Sequence, residues 1–262
     1  MAKPTDEARL AVLIDADNAS AQHLERLLVE IAKYGTATVR RAYGDWTKDQ
    51  LSPWKDALLK HSVQPMQQYG YTKGKNSTDS ALIIDAMDLL YADNVDGFCL
   101  VSSDSDFTRL AARIREQGLM AYGFGEMKTP PPFVAACTKF IYVENLAAAE
   151  AAPLSSTTKA AATPSAAAAP EAKPALKGDT QLDNLLSEAV ETLADDEGWA
   201  HLGPVGPNLS RLATDFDTRT WGFSKLTDLL RAHPEYEVSS RSPGDGKPKA
   251  TVVRRKPARA RK

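Results

Sequence analysis

Apolar residues follow two alternating rhythms along the first half of this chain. Short unbroken runs, among them Leu10–Ile14 and Gly97–Val101, alternate with longer stretches whose apolar positions return every three or four residues. An unbroken run suits a strand covered on both faces, and the longer spacing is that of an amphipathic helix. Strands are therefore predicted at Leu10–Asp15, Ala37–Tyr43, Val63–Gln68, Gly97–Ser102, Met120–Gly125 and Lys139–Val143. Helices are predicted at Ser20–Tyr34, Pro53–His61, Thr78–Ala92 and Phe107–Gln117, with Pro53 where an opening turn tolerates it. Repeated strand–helix units with short connections imply an α/β fold, a mostly parallel sheet flanked by helices.

The pattern breaks after residue 146. Ala147–Ala175 holds fourteen Ala and four Pro without apolar periodicity, so residues 147–178 read as a flexible linker. Order is expected to resume near Asp179. Helical spacing returns at Gln181–Leu193, Pro207–Phe216 and Ser224–Arg231, with Leu202–Gly206 as punctuation between the first two and a short strand at Pro234–Ser239. Residues 179–241 thus predict a small helical module of winged or helix-turn-helix character. Residues 242–262 read as a disordered basic tail, because Lys247–Lys262 carries eight Lys and Arg and no acid.

Composition sharpens this division. Net charge is −2, so the positive tail is a local feature of a chain that is not a polycation. Cys99 and Cys137 lie in apolar segments without metal-ligand spacing, which fits a reducing cytoplasm. The N-terminal residues lack the apolar core of a signal peptide, and no window approaches 18 uninterrupted apolar residues, so no membrane span is expected.

The candidate chemistry is acidic. Asp15, Asp17 and Asn18 follow the first predicted strand, Asp79 opens a helix, and Asp104 and Asp106 follow the strand ending at Ser102. In an open α/β sheet, ligands bind outside the carboxyl ends of the strands. Carboxylates gathered there repel one another unless a cation lies between them, and their hard oxygens suit Mg²⁺ or Mn²⁺. Each acid also has an ordinary role open to it, since Asp before a helix is a good cap. Asp17 and Asp106 read most naturally that way, with Asp106 alternatively holding a metal-bound water and Asp104 the direct ligand. Asp85, six residues beyond Asp79, points about 120° away on a helix of 3.6 residues per turn and reads as structural. Cations for phosphate are offered by Lys73 and Lys75 on a Gly-bearing loop with Tyr71, and by Arg40 and Arg41, though solvated charge serves equally. Trp46 and the run Lys128–Phe133 read as substrate surface or as plain packing and connection. His23, His61, His201 and His233 show no catalytic spacing.

Residues 9–146 resemble an NYN domain, a branch of the PIN-like nuclease superfamily. The resemblance rests on Ile14-Asp15-Ala16-Asp17-Asn18, on Thr78-Asp79 through Asp85, and on Val101-Ser102-Ser103-Asp104-Ser105-Asp106-Phe107. It implies a PIN-like sheet over residues 1–146 and a Mg²⁺- or Mn²⁺-dependent endoribonuclease whose metal ligands are Asp15, Asp79 and Asp104. Asp106 joins them as catalytic, with Asp17, Asn18 and Ser103 in support, and cleavage leaves a 5′-phosphate and a 3′-hydroxyl. Residues 180–240 resemble an OST-HTH (LOTUS) domain through Gly198-Trp199-Ala200, Leu202-Gly203-Pro204-Val205-Gly206 and Trp221-Gly222-Phe223-Ser224-Lys225-Leu226. That implies RNA binding, with Lys225, Arg211, Arg219 and Arg231 as contacts, or protein partners. The rival is an RNA-binding scaffold with a vestigial acidic site. A phosphatase built on Asp15-x-Asp17 and an Asp-x-Asp glycosyltransferase fit less well, because neither's accompanying motifs are present. Oligomeric state has no signature.

Overall fold

Burial on both faces explains why the apolar runs become strands. The computed structural model describes residues 7–69, 77–148, 176, 179–241 and 250–256. The chain divides into two compact units, Met1–Ala147 and Ala148–Lys262.

The first unit runs β1 (Arg9–Asp15), α1 (Leu24–Ile31), β2 (Thr36–Gly44), α2 (Trp54–Lys60), β3 (Gln64–Gln67), α3 (Ser77–Tyr91), β4 (Gly97–Val101), α4 (Thr108–Glu116), β5 (Met120–Gly125), α5 (Pro131–Ala136), β6 (Lys139–Tyr142) and α6 (Val143–Ala148). Its sheet has the order β3-β2-β1-β4-β5-β6, and every pairing is parallel. β1 and β4 lie at the centre and are buried along almost their whole length, so they must be apolar on both sides. Val12 and Ile14 face Leu24, Leu27, Ile31, Trp54 and Leu58 of α1 and α2. Ala11 and Leu13 face the opposite layer, where Leu82 and Ala86 of α3, Leu110 and Ile114 of α4, and Phe133 of α5 pack.

All six predicted strands are present. The long first helix is shorter than expected: a 3₁₀ turn at Ala21–His23, capped by the Ser20 hydroxyl at 3.4 Å from Gln22 N, leads into α1. The run Lys128–Phe133 contains the start of α5, which opens on Pro131, a position whose missing N–H has no intrahelical partner in any case. Strand order changes direction between β1 and β4. The acids after these neighbouring strands therefore emerge at the switch point of the sheet.

The second unit runs α7 (Thr180–Glu191), β7 (Ala200–His201), α8 (Leu202–Leu212), α9 (Leu226–Ala232), β8 (Tyr236–Arg241) and β9 (Ala250–Arg255). Leu182, Leu186, Val205, Leu209, Leu229, Leu230, Tyr236 and Val253 form its core. Asp179 caps α7, accepting from Leu182 N at 3.1 Å and from Trp221 Nε1 at 2.9 Å; the indole bond holds its carboxyl below the usual range. Gly222 sits at φ 76°, a left-handed conformation that favours glycine and closes the 3₁₀ turn Thr218–Trp221 ahead of α9.

Two expectations fail in this unit. Leu202–Gly206 is the first part of α8 rather than punctuation. Pro204 falls in the first turn, where no intrahelical donor is required, and Pro207 gives up one bond further in. The expected disorder from Ser242 onward does not hold for Ala250–Arg255. These residues form β9, the central strand of an antiparallel β7-β9-β8 sheet, because Val252 and Val253 are 4% and 0% exposed. Charge at Arg254 and Arg255 masked that short apolar pair. The linker expected at 147–178 lies almost wholly outside the described residues.

Candidate active site

Each acid owes its position to the end of a central element. Asp15 is the last residue of β1, opposite Tyr43 of β2, and its side chain follows Leu13 to the α3 face by strand alternation. It is fully buried. Oδ2 accepts from Asn18 Nδ2 at 2.9 Å and from Ser102 Oγ at 2.8 Å, while Oδ1 is buried without a hydrogen-bond partner. Burial pushes its carboxyl above the usual range, and the Asn18 and Ser102 bonds pull against that.

Asp79 lies in the first turn of α3 and is 8% exposed. Desolvation, followed by the charges of Asp15, Asp104, Asp106 and Asp17, pushes its carboxyl up to about 6. Asp104 stands just beyond β4. Its Oδ1 accepts from Asp106 N at 3.0 Å, so Asp104 caps the turn Ser105–Phe107 that leads into α4. Asp106, expected as the cap, instead lies exposed within that turn, its backbone N–H held by Asp104. Asp17 caps nothing: its Oδ2 accepts from Thr78 Oγ1 at 3.0 Å, and Lys48 Nζ lies 3.6 Å from its Oδ1.

The structure brings one carboxylate oxygen each of Asp79, Asp104 and Asp106 within 4.8 Å of one another. Asp15 is not a member of that close trio, although its charge is the largest electrostatic contribution to Asp79. An all-oxygen donor set beside a buried, unpartnered carboxylate oxygen fits a hard divalent cation.

Other predicted residues fall elsewhere. Ser103 Oγ accepts from Glu126 N at 2.8 Å, which fastens the end of β5 rather than Asp15. Ser102 does what was expected of Ser103, and it also accepts from Asp104 N at 3.1 Å, so one hydroxyl links two of the acids. Continuing the β1–β4 register one residue past Ile14 and Val101 places Ser102 opposite Asp15, a relation between two strands that no local period in the sequence reports. Arg41 bonds Asp85, which also accepts from the Tyr43 hydroxyl; burial and that carboxylate push the phenol up. Asp85 thus joins β2 to α3, in keeping with a structural role. Arg40 donates to the carbonyls of Ala37 at 3.3 Å and His61 at 3.1 Å. Trp46 is a packing residue whose Nε1 donates to Met66 O at 3.1 Å. Lys73, Lys75 and Tyr71 lie outside the described residues. Lys48, beside Asp17, was missed because nothing in its local sequence ties it to Thr78 or Asp79.

In the second unit Lys225 is exposed at the N-cap of α9, and Arg219 is held by Asp217 at 2.9–3.0 Å. Three cations of the basic tail are engaged within the unit: Arg254 with Glu237 at 2.9 Å, Arg255 with Glu235 at 2.9 Å, and Lys256, whose Nζ donates to Pro234 O at 2.9 Å.

Ser102 also sets a steric limit. A Cβ at Gly125 would lie 2.7 Å from Ser102 O and 2.6 Å from Thr129 Oγ1. Gly125→Ala is expected to cost about 2 kcal/mol by overpacking and to lower divalent-cation affinity by displacing Ser102. Urea unfolding and calorimetric Mn²⁺ titration would check both, and wild-type values in both would refute this account of the glycine.

A family model described as NYN domain matches residues 9–144, and one described as OST-HTH/LOTUS domain matches residues 176–248. No curated protein matches the chain. Among solved structures, a protein of unknown function from Vibrio parahaemolyticus is 16% identical, with 53% of this chain and 94% of that one covered and a TM-score of 0.46. An uncharacterized protein from Nitrosomonas europaea is 34% identical, with 41% and 98% covered and a TM-score of 0.30. A protein from Chromobacterium violaceum is 28% identical, with 30% and 84% covered and a TM-score of 0.24.

Proposed function

The chain belongs to the NYN domain family, and from that premise we propose that its first unit is a Mg²⁺- or Mn²⁺-dependent endoribonuclease and its second unit an RNA-binding module. The observation that carries this reading is electrostatic. Four acids press on Asp79 at the switch point of the sheet, and Asp15 beneath them keeps an oxygen without a partner. A vestigial site has no reason to retain so unfavourable an arrangement, whereas a divalent cation relieves it.

Asp79, Asp104 and Asp106 would hold the ion, with Asp15 adding charge from below. Bound there, a divalent cation offsets charge on the scissile phosphate and acidifies a coordinated water. The rest is done by the chain. Asn18 and Ser102 fix the Asp15 carboxylate, and Ser102 also fixes the backbone of Asp104. Asp79 must lose the proton that crowding favours, so loading the site releases protons near pH 6. Asp106, the exposed member of the trio, would take the proton of the attacking water at its carboxylate.

The decisive experiment compares wild type with Asp104→Asn on single-stranded and structured RNAs, with Mn²⁺ or with EDTA. Loss of an acid that holds the ion is expected to lower cleavage by at least about 100-fold, since metal-ion charge stabilisation is worth several kcal/mol. Cleavage that survives the substitution or the chelator sinks the assignment. The same acids dictate a pH dependence. At subsaturating Mn²⁺, the rate should fall as pH drops through about 6, where Asp79 takes up its proton, and excess Mn²⁺ should move the midpoint lower. A midpoint that ignores Mn²⁺ concentration would remove Asp79 from the metal set.

Removal of residues 177–262 is expected to weaken RNA binding more than intrinsic hydrolysis. Among the described residues no helix is long and apolar enough to cross a membrane. Cys99 and Cys137 are buried and free, which supports a cytoplasmic setting.

A further inference from the structure

A cleft built from carboxylates repels the polyanion it is meant to cut. Bringing RNA close requires positive charge held at the cleft but kept out of the metal site. Arg41 is committed to Asp85, and Arg40 donates to the backbone carbonyls of Ala37 in β2 and His61 after α2. Lys48 is differently placed. It lies in the turn after β2, at the carboxyl edge of the sheet where the acids emerge. Its backbone is fixed at both ends, with its N–H donating to Asp45 O at 3.0 Å and its carbonyl accepting from Leu51 N at 3.1 Å. Asp45 is itself buried and anchors the turn by accepting from Thr47 Oγ1 at 2.7 Å and Gln67 Nε2 at 3.0 Å. A rigid turn thus carries a long side chain that remains 45% exposed.

The end of that side chain is the telling part. Lys48 Nζ stands 3.6 Å from Asp17 Oδ1, near enough for an ion pair and too far for a hydrogen bond, and that oxygen is buried with no hydrogen-bond partner. The other Asp17 oxygen is held by Thr78, the residue before Asp79. The ammonium therefore waits beside the acid cluster in a loose contact that, among the described residues, spends none of its donors on a hydrogen bond. A phosphate oxygen is a better partner than a carboxylate at that distance, since a direct charge-assisted bond is shorter, about 2.8 Å.

We propose that Lys48 is a substrate-binding residue of the nuclease site, exchanging Asp17 for a phosphate of the bound RNA next to the one that is cut. This inference rests on the ribonuclease reading. In the free protein Asp17 holds the ammonium at the cleft. On binding, Lys48 turns to the RNA backbone while Thr78 keeps Asp17 in place. The contact reads charge and not base, so it sets affinity without sequence choice.

The test uses the full chain and a labelled single-stranded RNA, with Mn²⁺ for cleavage and Ca²⁺ for binding. Lys48→Gln is expected to raise KM about 10-fold with kcat within about twofold of wild type, and Lys48→Arg to recover most of the loss. In binding, the slope of log K against log salt should flatten by about 0.7 in Lys48→Gln, the share of one phosphate contact on a single strand. A merely structural lysine would leave that slope alone. Unchanged KM and slope in Lys48→Gln overturn the proposal, as does a fall in kcat alone. Asp104→Asn separates the two levels: if it still cleaves, the nuclease reading fails, whereas its inactivity beside a wild-type-like Lys48→Gln overturns only the role of Lys48.

Discussion

Asp79→Asn is expected to make the metal-free protein more stable at pH 7 while reducing cleavage at least about 100-fold. The sign follows from proton linkage. The native Asp79 carboxyl is pushed up to about 6 from an ordinary value of 3.8. Between those values the folded state binds more protons than the unfolded one, so stability falls as pH rises through that window. Above it the penalty is complete, at most about 3 kcal/mol for a shift of roughly two units at 1.36 kcal/mol each. Asparagine fills the same space without charge, and a gain of about 2 kcal/mol allows for its amide finding imperfect partners. Below about pH 4 both forms are neutral there, and the two proteins should converge. Urea unfolding of metal-free wild type and variant at pH 7 and pH 4 would show this directly. Adding Mn²⁺ at pH 7 should stabilise wild type more than the variant, since binding to the native state alone raises its stability. A variant less stable than wild type at pH 7 would mean that the acids are not electrostatically crowded, and the argument for a cation would lose its foundation. An activity-abolishing change that stabilises the fold is the ordinary signature of a site kept for chemistry rather than for packing.

The second large effect concerns the strand that sequence patterning missed. Ending the chain at Lys249 is expected to unfold the second unit, whereas ending it at Lys256 should leave that unit folded. β9 is the central strand of its sheet, paired with both β7 and β8, and Val253 is fully buried against Leu182, Leu209 and Leu229. Loss of two buried valines alone removes about 3–5 kcal/mol. The lost ladder adds to that, and a small domain has only about 5–15 kcal/mol in all. Collapse of the signals of α7, α8 and α9 in an amide correlation spectrum would report it. Retention of their dispersed signals in the Lys249 truncation would show that β9 is an ornament on the fold. The Lys256 truncation removes Arg259, Arg261 and Lys262 and isolates their share of RNA affinity from any effect on folding.

The two predictions mark where patterning along the chain succeeds and where it stops. The six strands of the first unit were legible because a strand covered on both faces must be apolar at every position, and β1 and β4 are such strands. The acids were legible for the complementary reason: charge directly after such a run has nowhere to go but the sheet edge. Helix geometry set Asp85 apart from the candidate acids, and in the structure it bonds Arg41 and Tyr43 of β2 instead. Ser102 and Ser103 were confused because their roles depend on register between β1 and β4, which is a relation between strands. β9 was lost because only two of its residues are buried and its flanks are charged, so no run or period stands out.

What the sequence by itself determined is the α/β class, the list of acids and their place at strand ends and a helix start, since these follow from local period and from the cost of burying charge. Only the tertiary structure decided that strand order reverses between β1 and β4. It alone placed Asp79, Asp104 and Asp106 as the close trio over a buried Asp15, made Asp104 the cap, and set Lys48 beside Asp17. These are distances between residues far apart in the chain. They depend on how two faces of one sheet pack their helices, which no local period encodes.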